Sequence, residues 1–332
     1  MLSLLRTSLI FLLLITSLAK AEPVRIIFDT DMDSDCDDAA ALAMLHALAD
    51  KGEAQILGTM ISSKFEWSAP CTDAINTYFR RPDLPIGVNK EQGKPWQSSK
   101  YARQIAEEFP HDLKSNSEAP DATTLYRKIL AAQPDNSVTI VTVGDVSNIR
   151  FLLESKADAV SPLNGVDLAK QKVKSWVCMG SRNPADLDPN RWGNFKMDAA
   201  STVKGIAAWP GLVTFTGGGK FAETLSTGKR LIELPKTSPV RRVYELYFDG
   251  AIKERYSADQ IAVYIAVRGK GTPWKLVTQG YNHIFDDGRH EWREMPDNPQ
   301  HEYISALAEG FKARDVAAQM EELMLHLPQP AS

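Results

Sequence analysis

From residue 22 onward the chain alternates short apolar runs with longer stretches of helical character. VRIIFD (24–29), AQILGTMIS (54–62), LPIGV (84–88), SVTIVTV (137–143), VKSWVCM (173–179) and GLVTFT (211–216) predict strands, several of them buried on both faces. Between them DDAAALAMLHALAD, CTDAINTYF, TTLYRKILAA, NIRFLLES and DAASTVKGIAAW predict helices, followed by SADQIAVYIAV and DVAAQMEELMLHL. Such alternation predicts an α/β fold with an open, mainly parallel sheet flanked by helices. No fixed-period repeat is present, and the polar stretches 89–122 and 270–302 read as insertions within one domain, 22–332, rather than as linkers.

Composition narrows the function classes. With 43% hydrophobic residues in 332, the chain can bury one large core or two smaller ones. The formal net charge of −4 and a pI near 5.9 provide no basic footprint, which argues against nucleic acid as a partner. Residues 1–21, MLSLLRTSLIFLLLITSLAKA, place Arg6 ahead of an apolar stretch that ends in Ala19-Lys20-Ala21, a small-x-small cleavage pattern. The apolar part is shorter than the roughly 20 residues that span a bilayer. It reads as a signal peptide cleaved after Ala21, which implies export to a periplasm or the exterior and no membrane attachment afterwards. Cys36, Cys71 and Cys178 are too few and too scattered for a disulfide framework or a zinc site and read as small buried side chains.

The chemistry lies in FDTDMDSDCDD (28–38), with six aspartates between positions 29 and 38, directly after the first apolar strand. Ligands bind beyond the carboxyl ends of strands in open parallel sheets, and this run occupies such an end. Asp37 and Asp38 fall in the first turn of the following helix, where the dipole favours each carboxylate by roughly 0.3–1 kcal/mol. Two carboxylates about 4 Å apart repel by around 4 kcal/mol at an effective dielectric of about 20. A converging cluster must therefore stay partly protonated or hold a cation. Oxygen ligands alone favour calcium or magnesium, and many carboxylates favour calcium. An EF-hand loop beginning at Asp31 fails, because its sixth and twelfth positions hold Cys36 and Leu42. A phosphatase motif of the DxDx[TV] type has Asp33 in its last position, and that alternative stays open.

FDTDMDSDCDDAAALAML resembles the N-terminal signature of the inosine-uridine preferring nucleoside hydrolases, a strand running into DxD, a short turn and DDAxAL. TVGDVSNIRFLL (142–153), VCMG (177–180), WGNFKMDAAS (192–201) and YSADQIAVYIAV (256–267) resemble further family segments in the same order. The resemblance implies a nucleoside hydrolase-like fold with a Rossmann-like core and cleavage of N-glycosidic bonds of ribonucleosides or related N-ribosides. It implies calcium held by Asp31, Asp38, Asp259 and the backbone carbonyl of Val143, with Asp31 also acting as base toward the metal-bound water. It assigns Asp37 and Asn194 to the ribose and Met179 to the lining of its pocket. It also implies assembly into dimers or tetramers. An oxocarbenium-like transition state is stabilised by nearby carboxylates, so the acid cluster would serve both metal and chemistry.

Four departures from the family pattern bear on this reading. The turn from Asp31 to Asp37 is longer by two residues, and Asp33 stands where glycine is common. Trp192 replaces a glutamate that would touch ribose, and Ala258 replaces a histidine that would help the base depart. These two keep open a ribose- or nucleoside-binding protein without turnover. His283, His290 and His301 in the polar C-terminal stretch read as surface residues, while Trp274, Tyr281, Trp292 and Tyr303 read equally as a base-stacking set or as local core.

Overall fold

The computed structural model describes residues 22–90, 99–189, 193–297 and 300–329. The signal segment 1–21 and Trp192 lie outside the described residues. The strands are β1 (Val24–Thr30), β2 (Ala54–Ile61), β3 (Ile86–Val88), β4 (Val138–Thr142), β5 (Val173–Met179), β6 (Ala185–Asp186), β7 (Val213–Thr216), β8 (Ser226–Thr227), β9 (Arg255–Tyr256), β10 (Trp274–Ile284), β11 (His290–Glu294) and β12 (His301–Leu307). The helices are α1 (Asp37–Asp50), α2 (Ser68–Tyr78), α3 (Ala102–Glu108), α4 (Ala122–Ala131), α5 (Ser147–Glu154), α6 (Gly165–Lys172), α7 (Asn194–Met197), α8 (Ala199–Ala208), α9 (Pro239–Tyr247), α10 (Ala258–Arg268) and α11 (Ala313–Met324). Among the described residues no helix is long and apolar enough to cross a membrane.

Ten strands form one sheet in the order β3-β2-β1-β4-β5-β7-β12-β10-β11-β6. From β3 through β12 every pairing is parallel, while β10, β11 and β6 are added antiparallel. All six strands expected from the apolar runs form, because a strand covered on both faces needs an almost continuous apolar sequence. The side chains of β1 alternate between two cores. Ile26 and Phe28 join the helices α1, α10 and α11 on one face, and Ile27 joins α4 and α5 on the other. Helix α1 is buried along nearly its whole length, which explains its apolar circumference.

The stretch 270–302 is not the loop-like insertion that its polarity suggests. It supplies β10 and β11 and leads into β12, which pairs with β7 within the main sheet. These strands are only partly covered, so their sequences mix charged and aromatic residues and carry no apolar run. Helices α6 and α9 and the short α3 within 89–122 were likewise not foreseen.

The chain leaves β1 toward β2 and β3 on one side and later crosses to β4 and β5 on the other. The switch point therefore lies between the carboxyl ends of β1 and β4, where Asp31 and Val143 follow their strands.

Candidate active site

Immediately after β1 the backbone turns sharply at Met32, whose φ of 43° is left-handed. That conformation costs a non-glycine residue roughly 1–2 kcal/mol. Here the Met32 side chain is fully buried and its N–H donates to Thr30 Oγ1 at 3.1 Å, which holds the turn. The loop after β4 approaches closely because residue 144 is glycine, and a Cβ there would lie 2.7 Å from the Asp31 backbone nitrogen. The ends of β1 and β4 thus close on each other at the floor of a cleft of about 720 Å³.

The six aspartates separate into distinct roles. Asp29 is sealed behind the strand, where it accepts from Tyr126 Oη at 2.7 Å and Asn148 Nδ2 at 3.1 Å, and burial pushes its carboxyl up to about 8. Asp33 turns inward, not to solvent, and accepts from Ser63 Oγ. Asp31, Asp35 and Asp37 line the cleft. Asp38, in the first turn of α1, accepts from Thr30 Oγ1 and lies within hydrogen-bonding reach of the Asp31 carboxyl. Asp259 enters from the first turn of α10 and is also buried.

Burial, followed by mutual repulsion, raises the carboxyls of Asp31, Asp35, Asp38 and Asp259 well above the usual carboxylate range. Asp259 feels Asp37, Asp38, Asp35 and Asp31 together, so the five carboxyls share one site. Asp259 Oδ1 is buried with no hydrogen-bond partner. One oxygen each from Asp35, Asp37 and Asp259 lies within 4.8 Å of the others, a spacing that can hold a cation. The lengthened turn therefore brings Asp35 to a triad with Asp37 and Asp259, while Asp31 and Asp38, expected together with Asp259 to bind the metal, lie outside that triad. A hard cation suits this donor set, since all its atoms are carboxylate oxygens and one of them lacks any other partner.

The opposite wall is built by the ends of β4 and β5. Asn194, at the start of α7, donates through Nδ2 to the carbonyls of Val143 and Met179, the latter at 3.0 Å. The approach of α7 depends on Gly180, where a Cβ would fall 1.8 Å from the Phe195 ring. Met179 and Asn194 both line the cleft, while Val143 is not among the lining residues and its carbonyl is taken by Asn194 Nδ2. Ala258 also lines the cleft, with no titratable group at the histidine position.

Several cleft residues had no distinguishing pattern in the sequence. Arg255, in β9, donates from Nε to Asp37 Oδ1 at 3.0 Å and from Nη2 to Asp35 Oδ2. Its guanidinium lies 4.4 Å from the Tyr256 ring centroid and 5.2 Å from that of Tyr247, and both rings line the cleft. Asp186 reaches the cleft from β6, where a buried pair with Lys196 at 3.0 Å lowers its carboxyl against the opposing effect of burial. The only available signal was a lone arginine between a glutamate and a tyrosine, four residues before Asp259, in ERYSAD.

The C-terminal candidates do not reach the cleft. His290 and His301 are buried, contrary to the surface reading. His290 Nδ1 meets Asn282 Oδ1 at 2.7 Å, and His301 Nδ1 accepts from the Asn282 N–H at 2.9 Å. They pack edge-on against Phe195 and Phe215, because β10 to β12 join the sheet and do not cover it as a loop. His283 is half-buried and lies with Tyr281 in a separate surface groove. Trp274 and Tyr303 are core, with Trp292 packed against them or their neighbours, so the local-core reading of these aromatics holds. All three cysteines are buried and unpaired.

No protein-family model and no curated protein sequence matches the chain. Solved structures do. A plant nucleoside hydrolase is similar at 16% identity with a TM-score of 0.66, over 91% of this chain and 99% of that one. An inosine-uridine preferring nucleoside hydrolase from Bacillus anthracis is similar at 13% identity with a TM-score of 0.65, over 90% and 99%. The type III effector protein XopQ, complexed with adenosine diphosphate ribose, is similar at 13% identity with a TM-score of 0.58, over 91% and 92%. At these identities the likenesses show the fold, which is that of the nucleoside hydrolases.

Proposed function

We propose that the protein is an exported, calcium-dependent hydrolase that cleaves the N-glycosidic bond of ribonucleosides or related N-ribosides. The observation that carries this reading is the unpartnered Asp259 Oδ1, buried among four other carboxyls at the switch point of a nucleoside hydrolase fold. Asp31, Asp38 and Asp259, with the Val143 carbonyl, are the residues that would hold the cation. A hard divalent cation there would supply a Lewis acid able to activate water near neutral pH and to bind a vicinal diol.

The chain's own residues supply the rest. Asp31, which lines the cleft, would accept a proton from the attacking water. Asp37, with one oxygen held by Arg255, offers the other to a ribose hydroxyl. Asn194, fixed by two strand-end carbonyls, orients the sugar from the facing wall. The carboxylate field of the cluster stabilises positive charge developing on the ribose ring. Tyr247 and Tyr256 offer aromatic faces to the departing base. Export rests on residues 1–21, and association into dimers or tetramers rests on the family resemblance.

Incubation of the purified protein with a nucleoside panel and an assay for reducing sugar tests the reading. Ribose release that disappears with chelator and in Asp31→Ala supports it. Tight binding without release would favour instead a riboside-binding protein, a reading motivated by Ala258 in the cleft and by the adenosine diphosphate ribose in the effector structure. A DxD phosphatase needs both motif carboxylates at its substrate, and Asp29 is sealed against Tyr126 and Asn148.

A further inference from the structure

The turn that is two residues too long brings an additional carboxylate, Asp35, to a site already crowded with negative charge. The structure answers it with a fixed positive charge. The Arg255 guanidinium bridges Asp35 and Asp37 through Nη2 and Nε, and its Nη1 donates to Tyr247 Oη at 2.7 Å. Tyr247 and Tyr256 flank its plane, and only 13% of its side chain is accessible to solvent. Strand β9 pairs with β8 through Arg255 and Thr227 and leads directly into α10, so Arg255 and Asp259 arrive at the cluster together.

We propose that Arg255 is a resident cation of the carboxylate cluster, a positioning residue that fixes Asp35 and Asp37 and opposes the binding of a divalent cation beside them. The inference rests on the proposed function only in taking the cluster as a cation site. Two observations carry it. The guanidinium already occupies one oxygen of Asp35 and one of Asp37. These same two residues, with Asp259, form the triad whose oxygens lie within 4.8 Å of one another. A guanidinium and a divalent cation sharing such a cluster repel. At a separation of about 6 Å, even the dielectric of water makes that repulsion worth roughly tenfold in affinity. The carboxylates left without an arginine partner are then Asp31, Asp38 and Asp259, which narrows the cation to that side of the cluster.

Isothermal titration of chelator-stripped protein with calcium chloride tests this, with circular dichroism as the check on folding. Arg255→Met should bind calcium at least about tenfold more tightly than the unsubstituted protein. The double variant Asp35→Asn with Arg255→Met removes one charge of each sign and should return toward the original affinity. Arg255→Lys keeps the charge but not the fork. It should leave calcium affinity within about threefold while raising KM for a nucleoside, because Asp37 is no longer clamped. A purely structural arginine would weaken or leave unchanged the affinity of Arg255→Met, and that result overturns the inference while the hydrolase reading stands. Calcium binding by Arg255→Met but not by the unsubstituted protein supports the inference and sinks the calcium part of the proposed function. If Arg255→Met does not fold, the Arg255→Lys result decides: an affinity shifted more than tenfold overturns the proposal.

Discussion

Replacing His46 by glutamine tests how the helix that carries the acidic turn is held. His46 is fully buried on α1, stacked on Phe79 with ring centroids 4.6 Å apart. Its Nδ1 faces Arg81 Nη1 at 3.2 Å and its Nε2 faces Asn76 Oδ1 at 2.9 Å. Arginine can only donate, so Nδ1 is the acceptor and the proton sits on Nε2. Burial, with the Arg81 charge adding to it, pushes the imidazole down from 6.5 to about 3. The neutral form is therefore favoured in the folded state, and the stability it confers is full above pH 6.5 and is lost as pH falls toward 3. Between pH 7.5 and 4.5 this one group should cost the protein about 3 kcal/mol, because the window reaches about two pH units below 6.5. Glutamine keeps a donor toward Asn76 and does not titrate. The assay is urea unfolding of both proteins at pH 7.5, 6.0, 5.0 and 4.5. The difference in unfolding free energy should shift by about 3 kcal/mol in favour of the variant across that range, whatever other groups contribute to both. Parallel pH dependences for the two proteins would refute the reasoning.

Other substitutions probe the site and its supports. Asn194→Ala removes the donor shared by Val143 and Met179 and should lower kcat/KM roughly 5- to 150-fold, equivalent to about 1–3 kcal/mol, with the melting temperature little changed. Unchanged steady-state kinetics would remove Asn194 from the sugar site. Gly180→Ala forces Phe195 and its neighbour Asn194 outward, and should cost about 1–3 kcal/mol in urea unfolding and a larger share of activity. Arg127, a buried residue of α4, pairs with Asp158 at 2.7 Å and donates to the carbonyls of Ser161 and Leu163. Arg127→Met leaves the carbonyls of Ser161 and Leu163 without their donor and should destabilise the fold by roughly 1–3 kcal/mol, again measured by urea unfolding, without altering KM.

The strands that frame the site were legible because their cue is local. VRIIFD, SVTIVTV and VKSWVCM are apolar on both faces, and only a covered parallel strand is stable with such a sequence. The strands β10 and β11 were not legible, since half-covered antiparallel strands such as WKLVTQGYNHI carry no such run. His290 and His301 were misjudged for the same reason. Their burial comes from the sheet they join and from Phe195 and Phe215, which lie far away in sequence.

By itself the sequence determined that an acidic run follows the first strand and opens a buried helix, because apolar periodicity and helix-start chemistry act over a few residues. Only the tertiary structure decided what each aspartate meets. Asp29 finds Tyr126 and Asn148, Asp33 finds Ser63, and Asp35 and Asp37 find a guanidinium 220 and 218 residues away. Coulomb energy and desolvation depend on distance and burial in space, so six identical side chains in one short turn acquire different fates only once remote segments close around them.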